Sequence, residues 1–298
     1  MEREADRVGF GVLTQAGFEP QGFVSMFDKL QQASRLNDNG SFPYLRTHPM
    51  TTERIAEMQS RQPLARAAAA PATSFTHSMM VARARAFSYP GVDGLRSYVT
   101  EAQAGGVATA PATRQAGVYY GAALASSRLR DPVAASNWLA KLTEVTRTDA
   151  KAARLARLLA AEVALETGDA ARAAHRADIA AEGRPEVMLG AQARVRAGRA
   201  AEVSQRLQTW VALHPRDAGA WQLLATAYAA QGQTLRSIRA EAEARVAHLD
   251  YAAALDRFKA AQDLVRRTGA GGDHIEASII DTRSRQVESL VREQALER

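Results

Sequence analysis

Trp221-Gln222-Leu223-Leu224-Ala225-Thr226-Ala227-Tyr228-Ala229-Ala230-Gln231-Gly232 is the stretch that decides the fold class. Its large side chains Trp221, Leu224 and Tyr228 recur every three or four residues, so a helix would place them on one face. Gly232 stands where such a helix needs a residue that tolerates a left-handed backbone. Two further stops, Gly168-Asp169 and Gly198-Arg199, precede Gly232-Gln233 at spacings of 30 and 34 residues. A recurrence of about 34 residues is the mark of a repeated two-helix unit.

The neighbouring stretches fit the same unit. Val203, Leu207 and Val211, closed by Pro215, read as the second helix of the preceding pair, and Ala254, Phe258 and Ala261 form another second-helix pattern. Upstream, Tyr119, Tyr120, Ala123 and Leu124 pair with Ala135, Trp138, Leu139 and Leu142, and Leu155, Leu158 and Leu159 pair with Ala173, Ala177 and Ala180. The Trp221–Tyr228 helix resembles a tetratricopeptide first helix, with Ala225 where that pattern has glycine. Residues 113–268 are therefore expected to form tetratricopeptide-like helix pairs. One pair cannot bury its apolar face alone, whereas a stack buries a continuous core and leaves a face that can hold another protein. Trp138, Trp210 and Trp221 are expected in the repeat core. Arg128, Arg154 and Arg194, on first helices, are expected on solvated surface, with the lining of a groove for acidic or carboxylate groups as the alternative.

Composition agrees with an all-α chain. Of 298 residues, 46% are hydrophobic but only 6% aromatic, and alanine carries much of the apolar share; alanine is the best helix former. The net charge is +6, from 34 Arg and 4 Lys against 32 acidic residues. The arginines are interleaved with Asp and Glu along the whole chain, a pattern of solvated helix faces rather than a nucleic-acid patch. Cysteine is absent, which excludes disulfides, thiolate ligands and a cysteine nucleophile. No run is long and apolar enough for a membrane span, and the first residues lack the apolar core of a signal peptide.

Outward from the repeats, residues 63–112 read as a linker with Pro71 and a first helix pair, and residues 269–298 as a glycine break followed by an amphipathic C-terminal helix. The other end is different in kind. Met1-Glu2-Arg3-Glu4-Ala5-Asp6 opens a helix expected over Glu2–Ala16, with Ala5, Val8, Val12, Leu13 and Ala16 inward and Gly17 as its stop. Glu2 and Asp6 are four apart, one turn apart on the same face. A second helix follows Pro20 with Phe23, Met26, Phe27 and Leu30 at helical spacing, and a third runs through Ile55, Ala56 and Met58.

The series Glu2-Arg3-Glu4-Ala5-Asp6-Arg7, Ala16-Gly17-Phe18-Glu19-Pro20, Phe27-Asp28-Lys29-Leu30, Tyr44-Leu45-Arg46-Thr47-His48-Pro49 and Thr52-Glu53-Arg54-Ile55 resembles bacterial zinc metalloproteases related to the CAAX prenyl protease. Within them it is similar to the exported branch that carries tetratricopeptide repeats after the protease domain. The resemblance implies that residues 1–62 are the C-terminal part of a zincin-type protease domain. It implies Glu2 as third zinc ligand, Asp6 as the carboxylate that orients a ligating histidine, and His48 as a loop residue able to approach the metal. It further implies a periplasmic location, a role in envelope protein quality control, and protein partners such as outer-membrane assembly components. The His-Glu-x-x-His helix of that family has no counterpart here: none of His48, His77, His175, His214, His248 and His274 has another histidine four residues away. A catalytic zinc needs about three protein ligands and an open position. The chain is therefore expected to bind no zinc and to be inactive alone, either cut at its N-terminus or started late. A non-enzymatic helical-repeat adaptor or chaperone is the alternative.

Overall fold

A computed structural model of the chain describes residues 2–36, 52–61, 74–177, 183–268 and 273–296. Among the described residues there are fifteen α-helices and no strand, so the protein is all-α. The chain divides into two compact units, Met1–Thr73 and Ser74–Arg298.

The first unit holds α1 (Glu2–Gln15), α2 (Pro20–Leu36) and α3 (Thr52–Ser60). Helix α1 stops where expected. Gly17 is left-handed, with φ of 79°, and the amide of Phe18 donates to the carbonyl of Leu13 at 3.1 Å, satisfying an end carbonyl that the helix itself cannot. The inward face, however, is not the aliphatic one. Asp6 and Phe10 are the buried residues of α1, while Val8 and Val12 are more than half exposed. Packing of Phe10 edge-on to Phe23, 5.8 Å between ring centres, and the pairing of Asp6 with Arg54 together hold this rotation. Phe10, Val24, Phe27, Ile55 and Met58 make the small core.

The second unit is a run of helices: α4 (Phe75–Ser88), α5 (Val92–Gln103), α6 (Ala112–Arg128), α7 (Pro132–Thr146), α8 (Ala150–Glu166), α9 (Ala170–Arg176), α10 (Arg184–Arg196), α11 (Ala201–Leu213), α12 (Ala218–Ala230), α13 (Thr234–Ala247), α14 (Tyr251–Thr268) and α15 (His274–Leu296). Each helix packs on helices near it in the chain, as in α6 on α7, α12 on α13 and α14 on α15. This nearest-neighbour order is that of an α-solenoid of helix pairs.

The turns explain the pairing. Gly168, Gly198 and Gly232 all have positive φ, at 87°, 74° and 71°. After each, the next amide reaches back to the fifth carbonyl before it: Asp169 to Ala164 (2.8 Å), Arg199 to Arg194 (2.8 Å), Gln233 to Tyr228 (3.0 Å). A fourth such turn follows α6 at Arg130, φ 62°, closed by Asp131 onto Ser126 at 2.9 Å. A non-glycine there costs about 1 kcal/mol, and it hides the turn from a search for glycines. Aspartates restart the helices: Asp131, Asp149, Asp169 and Asp217 each accept an amide three residues on, satisfying a donor at the helix start.

Pairs are joined by ion pairs that recur at about the repeat length. Arg154 reaches Glu186 (2.7 Å), Arg184 grips Asp217 (2.7 and 2.8 Å), Arg236 meets Asp273 (3.1 Å), Arg239 pairs with Glu276, and Arg283 holds Glu243 (2.6 and 2.7 Å). Apolar packing runs beneath them. Tyr119 stacks on Trp138 at 5.9 Å, and Leu207, Leu224, Tyr228 and Trp210 fill the middle. In α15, Ile280 and Val287 are fully buried, whereas Ile275 is 77% exposed.

Candidate functional site

Glu2 and Asp6 lie one turn apart on α1 and both face α3. There Arg54, 7% exposed, is the group that gathers them. Its Nε donates to Asp6 Oδ2 at 2.6 Å and its Nη2 to Asp6 Oδ1 at 2.8 Å; Nη2 also lies 3.2 Å from Glu2 Oε2. The guanidinium sits over the Phe27 ring at 5.5 Å. Asp6 is 6% exposed. A carboxylate that deep requires a partner, and the planar guanidinium satisfies both of its oxygens at once. Glu2, with 40% of its side chain exposed, stands at the open edge of this cluster. Arg3 and Glu53 form a second, exposed pair between the same helices.

A divalent cation would have to share Glu2 with the Arg54 cation, and like charges at that range repel. Among the described residues, no three His, Cys, Asp or Glu side chains are grouped so that they could hold a metal ion. Glu2 and Asp6 therefore do not fit a zinc ion by themselves. His48 lies outside the described residues.

Arg54 was legible only as part of the string Thr52-Glu53-Arg54-Ile55, with no role attached. The signal that finds it is Asp6: an aspartate on the inward face of a helix calls for a buried cation elsewhere in its unit.

In the second unit, Arg128, Arg154 and Arg194, the three weighed as groove residues, each have a partner within the fold. Arg128 lies over the Phe87 ring at 4.0 Å, Arg154 pairs with Glu186, and Arg194 donates to the Gly190 carbonyl at 3.1 Å. Trp138 and Trp210 are buried. Trp221 is half-buried against the same core and donates through Nε1 to the Pro215 carbonyl at 3.0 Å.

Asp217 is held by three donors in this unit: the Arg184 guanidinium, Trp210 Nε1 and the Ala220 amide. The hydrogen bond from Arg184 is the largest influence on it; burial acts the other way, and Trp210 Nε1 and the Ala220 amide add to the lowering, so its pKa falls from 3.8 to about 2. A carboxyl lowered on folding stabilises the fold above its unfolded pKa and loses that contribution as pH falls through its folded one. Between pH 4 and pH 2 the wild type should therefore lose stability that Asp217→Asn has already forfeited. At neutral pH the variant is expected to be about 1–2 kcal/mol less stable, through a weakened cap and tie. Urea titrations of both proteins across that range check it.

The profile of Peptidase family M48 matches residues 1–62. Over 60 residues the chain is 37% identical to the beta-barrel assembly-enhancing protease of Escherichia coli strain K12, and equally to that of Shigella flexneri, covering 20% of this chain and 12% of each relative. The match thus spans about an eighth of the relatives' length. The family match over residues 1–62 contains the three described helices of the first unit, with Glu2, Asp6 and Arg54. Residues 1–62 are accordingly a segment related to peptidase family M48.

Proposed function

We propose that the chain is the peptidase-helix and helical-repeat portion of a periplasmic M48-type zinc metalloendopeptidase that acts in envelope protein quality control. The observation that carries this is the family match over residues 1–62, with Glu2 and Asp6 one turn apart and drawn together by Arg54. In this reading Glu2 is the ligand the segment would offer a zinc ion, and Asp6 supports it. The remaining ligands belong to a His-Glu-x-x-His helix not found in this sequence, so the chain alone cleaves no peptide bond. The apolar side chains Val8, Val12, Phe18 and Met26, each 46% or more exposed, suit a unit that packs against further protein. Residues 74–298 hold protein partners, outer-membrane assembly components among them. The described helices include none long and apolar enough to cross a membrane. Nucleic acid is not the partner, because many arginines are committed to Asp and Glu.

The test is the coding sequence directly upstream. An in-frame His-Glu-x-x-His supports the reading, and its absence overturns it in favour of a non-enzymatic adaptor or chaperone. The Arg54 clamp favours that second reading, because it gives both carboxylates a cationic partner without a metal. An adaptor would keep its partners after Glu2→Gln and lose them when residues 112–268 are deleted.

A further inference from the structure

Two grooves occupy corresponding places in the second unit, each between consecutive second helices and floored by the first helix between them. One, of about 360 Å³, lies between α7 and α9 over α8. The other, of about 390 Å³, lies between α11 and α13 over α12. Each entrance carries two arginines about one turn apart, Arg172 with Arg176 and Arg236 with Arg239, the second standing eight residues after Gly168 but seven after Gly232. Arg172 follows the Gly168 turn by four positions, as Arg236 follows Gly232.

The charges at the two entrances are not resolved in the same way. In the α11–α13 groove, Arg236 and Arg239 are met by Asp273 and Glu276 at the start of α15, two acids three residues apart. In the α7–α9 groove, Arg172 and Arg176 are exposed, and among the described residues no acidic side chain pairs with either. Asp169 also lines the groove, but its Oδ1 is taken by the Arg172 amide at 2.9 Å. Arg172 and Arg176 are one turn apart, so the two cations repel unless an anion lies between them. Below them, Val163 and Ala164 give an apolar floor and Thr143 a polar wall.

We infer that the α7–α9 groove binds an acidic helical segment of a partner protein, two carboxylates three residues apart meeting Arg172 and Arg176 as Asp273 and Glu276 meet Arg236 and Arg239. Small apolar side chains of the same segment lie on Val163 and Ala164. The site is on the second-helix face of the array, unlike first-helix Arg154 and Arg184, which are consumed as ties. The inference rests on the reading of residues 74–298 as a partner-binding array and names its ligand chemistry.

The probe is a fluorescein-labelled peptide of this chain's own sequence Asp273–Ser284, followed by anisotropy with the full chain. Binding should weaken about tenfold in Arg172→Ala/Arg176→Ala, where two exposed pairs are lost. A peptide carrying Asp273→Asn and Glu276→Gln should weaken as much, and raising the salt should weaken wild-type binding. Arg172→Lys/Arg176→Lys should retain most of the affinity. Circular dichroism of the alanine variant should match wild type, since neither side chain is packed. Equal binding by the alanine variant or by the neutral peptide overturns the site, as does equal, arginine-dependent binding of a labelled oligonucleotide. Envelope partners captured equally by wild type and by the alanine variant would overturn the groove and leave the binding array standing. Arginine-dependent peptide binding with no captured partner would support the groove and count against the wider reading.

Discussion

Arg54→Ala is expected to unfold the first unit. The substitution leaves Asp6, 6% exposed, as a buried carboxylate with both oxygens stripped of their guanidinium, and breaking such a pair from one side costs about 3–5 kcal/mol. Among the described residues the core beneath is five buried side chains, Phe10, Val24, Phe27, Ile55 and Met58, and the ring of Phe27 also loses the cation above it. A unit this small has little stability to lose. Limited proteolysis should cut within residues 2–61 at least tenfold faster than in wild type, while residues 74–298, whose cores use other side chains, keep their protection. Asp6→Leu/Arg54→Met separates charge from packing. Replacing both partners with apolar groups of similar size is expected to restore much of the protection, because a buried ion pair stabilises little relative to good packing. Protection of Arg54→Ala equal to wild type would show that the clamp is not structural.

Phe258→Ala is expected to be the most damaging single change in the second unit. Phe258 is fully buried among Ala242, Ala254, Ala261, Ile280 and Val287, where α13, α14 and α15 meet. Three of those neighbours are alanines, which have no rotamer that could swing into the space left behind. Truncation of such a side chain costs about 3–5 kcal/mol. In a stack held by neighbour contacts, the loss should stay local. Amide exchange should therefore accelerate across residues 234–296 and remain slow across residues 112–166. Phe258→Leu, which keeps most of the volume, should lose less than about 2 kcal/mol. Uniform loss of protection along residues 74–298 would contradict the nearest-neighbour account.

The fold was readable where local chemistry decides it. Gly17, Gly168, Gly198 and Gly232 announce left-handed stops because only glycine adopts them without cost, and all four have positive φ. Arg130 and Leu249, each at φ 62°, make the same conformation with side chains that do not advertise it. The rotation of α1 was not readable. Its aliphatic stripe of Ala5, Val8 and Val12 scores as the inward face, yet a long-range pair, Asp6 with Arg54 forty-eight residues on, turns that stripe outward. The same limit applies to the arginines. Arg154, Arg184 and Arg283 look like solvated charge in sequence, and only the stacking of helices brings Glu186, Asp217 and Glu243 opposite them. At the candidate site, the spacing of Glu2 and Asp6 was plain, but the cation that holds them was not.

Zinc titration of the purified full chain, run beside Glu2→Gln and read together with cleavage of casein, tests the central claim most directly. With Arg54 holding Asp6 and standing 3.2 Å from Glu2, wild type and variant are expected to be indistinguishable, with no stoichiometric site tighter than about 1 μM and no casein turnover. One tightly bound zinc per chain, lost in Glu2→Gln and accompanied by casein cleavage in wild type, would contradict the account.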